Sequence, residues 1–90
     1  MVPGRSYDAT HSQEGKMRMK FMADGTVSVW EGGAWVAAGQ SWFRRDGQLC
    51  TYGQYGGPEY AFCTEEIPAG NGGFNLIYED AMAEFRPVPG

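Results

Sequence analysis

Cys50 and Cys63 are the residues best placed for covalent chemistry, thirteen positions apart with Tyr55-Gly56-Gly57-Pro58 between them. That tetrapeptide supplies both positive φ and a fixed φ, the ingredients of a chain reversal. Folded as a hairpin, the segment sets Thr51 against Phe62, Tyr52 against Ala61, Gly53 against Tyr60 and Gln54 against Glu59, with the tetrapeptide as a four-residue loop. Facing residues at a non-hydrogen-bonded pair approach to about 4.5 Å between Cα atoms, near the lower end of what a disulfide tolerates. A Cys50–Cys63 disulfide is therefore expected. Closing a loop of this length would stabilise a small fold by about 3 kcal/mol in the chain-entropy model. Such a bond belongs to an oxidising compartment. The other reading is two reduced cysteines buried as small hydrophobes.

The remaining reactive side chains make weaker patterns. The single histidine lies in Asp8-x-x-His11-x-x-Glu14, which follows no metal-ligand spacing rule and reads as a solvated turn; no metal or other cofactor is expected. No Gly-x-Ser-x-Gly elbow or phosphate loop occurs. Glu65, Glu66, Glu79, Asp80 and Glu84 could pair as acid and base for glycoside hydrolysis. With 11 acids among 90 residues, chance pairs are common, and a solvated acidic face is the plainer reading. Cys50 as a nucleophile would need a base nearby, and His11 is remote in sequence. No catalytic residue is assigned, and the chain is expected not to be an enzyme.

The aromatics carry the functional hint. Three Trp, five Tyr and five Phe are more than a core of this size can cover. Trp30, Trp35 and Tyr55 are the candidates for a surface platform that anchors a protein partner or stacks on sugar rings. Arg18 and Lys20, with Lys16, form a basic strip that is either a solvated face or a dock for an acidic partner. Residues 1–45 carry six basic and four acidic groups, and residues 46–90 carry one and seven, so the halves sum to +2 and −6. Self-association of the basic half of one copy with the acidic half of another follows as a possibility. An acidic chain without a dense Lys/Arg patch is a poor ligand for phosphate backbones, which argues against nucleic acid.

The elements that must hold these residues read as strands. Ninety residues, rich in Gly and aromatics, fit one all-β domain over residues 1–90. Residues 4–10 make a thin first strand, and 10–15 a turn. Met17, Met19 and Phe21 alternate with Lys16, Arg18 and Lys20 at strand period. A loop with Gly25 left-handed sets Phe21 against Val27 and Met19 against Val29, collecting apolar residues on one face and leaving Trp30 on the polar face beside Arg18. Glu31-Gly32-Gly33 turns the chain into Ala34–Ala38, and Gly39 breaks or bulges the strand before Gln40–Arg44 continues it. The same three-residue loop at Arg45-Asp46-Gly47 would place Phe43 opposite Leu49 and Trp42 opposite Cys50, shielding the bridge. Residues 67–73 read as a loop, 74–79 as a strand, and 81–86 as a last strand or a single helical turn. The sum is an antiparallel meander of seven or eight short strands, closed as a small barrel or strongly curled sheet, with a sandwich as the alternative. Strands this short leave little room for a deep cavity.

Asp24, Gly25, Gly39, Trp42, Gly47, Leu49, Cys50 and Cys63, spread over about half of the chain, resemble the pattern of small exported lipocalin-like proteins of Gram-negative bacteria, many of unknown function. The resemblance implies a periplasmic antiparallel β domain with a disulfide and no known reaction. No apolar run reaches the length of a membrane span, and the first ten residues hold no signal-peptide core, so an exported chain would already have lost its leader. The expected function is a non-catalytic, periplasmic or secreted binding domain for a protein partner. A carbohydrate or cell-wall glycan module is the alternative, and a small hydrolase the third reading.

Overall fold

Eight strands run in sequence order around a closed antiparallel barrel in the structure, a computed structural model that describes residues 1–89. They are β1 (Ser6–His11), β2 (Gly15–Phe21), β3 (Thr26–Glu31), β4 (Ala34–Arg45), β5 (Gln48–Gly53), β6 (Phe62–Gly70), β7 (Gly73–Ile77) and β8 (Met82–Pro87). β8 returns to pair with β1, Ala9 opposite Phe85, so no strand edge is left open. This closure excludes the sandwich, and residues 82–87 form a strand rather than a helical turn.

Alternation along each strand fills the barrel. Tyr7, Ala9, Met19, Phe21, Val27, Leu49, Phe74, Leu76, Ala83 and Phe85 form its buried core. Phe74 stacks on Phe85 at 4.6 Å between ring centroids, with Tyr7 edge-on to Phe74 at 5.2 Å. Lys16, Arg18, Lys20, Glu65 and Glu84 alternate with these on the outer face. Apolar inside and charged outside is the reverse of a lipid-spanning barrel. Among the described residues no helix is long and apolar enough to cross a membrane.

The β2–β3 register is the expected one: Phe21 faces Val27 and Met19 faces Val29, with Gly25 at φ 90°. Gly39, at φ 72°, lies in a bulge where β4 takes four steps, Ser41 to Ala37, against two on β3, Thr26 to Ser28. The bridge forms between Cys50 and Cys63, which face each other with Cα atoms 4.0 Å apart. Phe43 is the other cross-strand neighbour of Cys50, and the Arg45 guanidinium lies 3.6 Å from the Cys63 sulfur.

Five expectations are corrected. The β4–β5 turn has two residues, not three, because Asp46 (φ 54°) accepts the left-handed conformation as Gly47 (φ 77°) does. The register moves by one: Phe43 faces Cys50, and Trp42 faces Thr51. Trp42 therefore turns inward, edge-on to Phe21, with its indole N–H donating to the Met22 carbonyl at 2.8 Å; it does not shield the bridge. The loop between β5 and β6 is not Tyr55–Pro58 alone. Pairing stops at Thr51–Phe62, so Tyr52/Ala61, Gly53/Tyr60 and Gln54/Glu59 do not form. Gln54 N–H donates instead to Gly39 of β4, and Pro58 opens a 3₁₀ turn over Pro58–Tyr60 that lengthens the loop. Residues 67–70 are strand: β6 runs on to Gly70, and only Asn71-Gly72 turn, both at positive φ. β7 ends at Ile77, two residues before the expected end at Glu79.

Candidate functional site

The basic and aromatic candidates converge on the outer face of β8, β1, β2, β3 and β4. Cross-strand partners share a face of a sheet. Arg86 faces Asp8, Asp8 faces Arg18, and Trp30 faces Trp35. Continuing the β2–β3 register brings Trp30 level with Arg18, and both line one open groove of about 760 Å³ together with Asp8, Lys16, Glu84 and Arg86. The result is a single row across five strands in which two indoles continue an alternation of charge.

Each member is held by short-range chemistry. The Gly32-Gly33 turn, both glycines at positive φ, is the tight hairpin that puts Trp30 and Trp35 directly opposite. Their rings meet edge to face, with centroids 5.3 Å apart and planes at 71°. The Lys20 ammonium sits 4.0 Å over the Trp35 ring, a cation–π contact made diagonally across β3. Arg18 donates from Nε and Nη2 to the two Asp8 carboxylate oxygens at 2.8 and 3.3 Å. That hydrogen bonding, with the carboxylate's charge, raises the Arg18 guanidinium above its ordinary value. Glu84 pairs with Arg86 at 2.6 Å. Trp30 stays 43% exposed, enough for a partner to cover.

Lys16, Arg18, Lys20 and Arg86 set against Asp8 and Glu84 give this face a charge of +2 in a chain of −4, leaving −6 for the rest. The groove sets the exposed Trp30 indole beside fixed, mostly cationic hydrogen-bond donors.

Tyr55 is not part of it. It projects from the β5–β6 loop, 95% exposed, and makes no ring contact with the Trp pair. The loop took Tyr55 there because β5 separates from β6 after Thr51. Sequence reasoning missed Asp8, Glu84 and Arg86 as members of this row. The β1–β8 pairing that brings them in depends on barrel closure, which no local pattern announces, although the β1–β2 register was open to the alternation argument.

The other chemical candidates disperse. Asp8 points outward to Arg18, while His11 ends β1 and accepts at Nδ1 from the backbone N–H groups of Gln13 and Glu14, at 3.1 and 3.2 Å. No group of three possible metal ligands exists among the described residues. Glu66 turns toward the barrel end, where it meets Arg44 at 3.0 Å and the Met1 ammonium at 2.6 Å; Glu84 is paired on the outer face, and Glu79 and Asp80 lie in the turn before β8. Compared with family models, curated proteins and solved structures, the chain matches none of them.

Proposed function

We propose that the chain is a non-catalytic binding domain, exported to the periplasm or secreted, that engages a protein partner through the outer face of β8 and β1–β4. The row Arg86, Asp8, Arg18, Trp30, Trp35 carries this reading. Trp and Arg are the residue types that dominate binding energy at protein interfaces, and here Trp30 and Arg18 are exposed, Trp35 is half-buried beside Trp30, and all are held by strands rather than loops. The local +2 charge selects an acidic segment of the partner. The Cys50–Cys63 bond and the likeness to exported lipocalin-like proteins support placement in an oxidising compartment.

Sugar stacking has less support, since the Lys20 ammonium covers one face of Trp35 and the two indoles are too steeply inclined to make one continuous platform. Self-association through the same row remains within the proposal, with the acidic surface of a second copy as the partner.

The test is affinity capture from the exported fraction of native cells with three baits: the natural chain, Trp30→Ala/Trp35→Ala, and Arg18→Glu/Lys20→Glu. The expected outcome is one protein enriched by the natural chain and lost with both variants, or, for self-association, a dimer in light scattering that both variants dissolve. Equal capture by all three baits contradicts the proposal. So does a saturable change in tryptophan fluorescence with cell-wall oligosaccharides in the absence of any enriched protein.

A further inference from the structure

The two ends of the barrel differ. At the end where β1 begins, residues 1–4 fold inward: Met1 packs against the core, Val2 N–H donates to the Tyr7 hydroxyl, and Gly4 N–H donates to the Phe21 carbonyl. The opposite end is ringed by the turn after His11, the Gly32-Gly33 turn, the β5–β6 loop and the turn before β8, and it retains a recess of about 120 Å³. Ala9, Ala83 and Phe85 give it an apolar lining. The thioethers of Met17 and Met19 and the rings of His11 and Tyr78 form its walls, and Glu14 and Gln40 stand at its rim. Tyr78 belongs to an aromatic row that crosses the opening, 5.1 Å from Phe62 and 5.7 Å from His11.

Charge is arranged around this opening. Glu14, Glu31, Glu59, Glu79 and Asp80 all lie in loops or strand ends at this end, against Lys16 as the one Lys or Arg there. Glu14 takes part in no ion pair among the described residues, and its backbone N–H is fixed to His11 Nδ1, which anchors it at the rim. Burial, with the negative field of Glu14, pushes the Tyr78 hydroxyl above its ordinary value, so that field reaches the wall of the recess.

We propose that this recess is a binding site for a small alkylated ammonium cation. Aromatic faces and thioethers accept N-methyl groups without hydrogen bonds, and a carboxylate at the rim balances the charge; these are the elements by which quaternary ammonium is recognised. A volume of about 120 Å³ holds a trimethylammonium group with its first methylene. The site shares only the strand residues Ala9 and Met17 with the outer groove, so it stands or falls independently of the protein-docking face.

The experiment follows the Met17 and Met19 methyl resonances while the intact chain is titrated with choline or with its neutral isostere 3,3-dimethyl-1-butanol. The expected result is saturable shifts with choline, with a Kd on the order of millimolar, and binding of the isostere about fivefold weaker. Glu14→Gln, an exposed turn substitution whose folding is checked by its melting curve, should bring choline down to the level of the isostere. Equal binding of the two compounds, absence of methyl shifts into the tens of millimolar, or choline binding unchanged in Glu14→Gln would each overturn the proposal.

Discussion

Side chains at single positions decide what this surface can bind. Trp30 and Trp35 support each other edge to face, and Lys20 fixes one face of Trp35, so the pair presents a preset shape instead of two free rotors. Trp30→Ala should weaken partner binding by about 2 kcal/mol or more, roughly 30-fold, while the melting temperature stays nearly constant, because Trp30 is exposed. Titration calorimetry with the captured partner measures this. Glu66 makes a separate prediction. Burial pushes its carboxyl up, but hydrogen bonds from Arg44 and the terminal ammonium outweigh this and hold it below its ordinary value of 4.5. A depressed folded-state value means that the stabilisation is present above pH 4.5 and is lost as pH falls through the depressed value. The stability advantage of the natural chain over Glu66→Gln, from urea titrations across acid pH, should be full at neutrality and shrink on acidification. A constant difference would show that the carboxylate's charge is not what matters there.

At the level of strands and turns, the chain wrote some of its geometry locally and left the rest to competition. The β2–β3 register was readable from alternation because Met19, Phe21, Val27 and Val29 have one buried arrangement. The Gly39 break was readable as well, since a lone glycine within an apolar strand marks a bulge. The β4–β5 register was not: with Trp42 and Phe43 adjacent, either can take the interior, and the choice fell to Asp46 accepting a left-handed φ and to the space beside Phe21. The β5–β6 loop escaped prediction for a related reason, because its backbone bonds to Gly39, a residue far away in the sequence. A substitution checks the bulge. Gly39→Val forces a branched residue to φ 72° and crowds Gln54 Oε1, which lies 3.3 Å from where the Cβ would sit. The expected cost is about 1–2 kcal/mol by denaturant titration. A neutral result would mean that β4 relaxes without its bulge.

For the molecule as a whole, closure and the cross-link do different work. Closure removes every exposed strand edge, and the Cys50–Cys63 bond ties β5 to β6 just before the long loop, where their pairing ends. Cys50→Ser/Cys63→Ser should lower stability by about 3 kcal/mol, and a reductant should destabilise the natural chain to the same extent and the variant not at all. Loss of the Phe74–Phe85 stack in Phe74→Ala should cost about 3–5 kcal/mol, a large share of the stability of a domain this size. The all-β meander and its disulfide were legible in the order of turns and the spacing of two cysteines. The outer row was only half legible, because its Asp8 and Arg86 meet through the one pairing that joins the ends of the chain. The most direct test of the proposed docking face is photocrosslinking in the native compartment, with a photoreactive amino acid placed at position 30 or, as a control, at Ile67 on the outer face of β6. A discrete protein adduct from position 30 and none from position 67 is the predicted result. Adducts of equal yield from both positions, or from position 67 alone, would contradict the account.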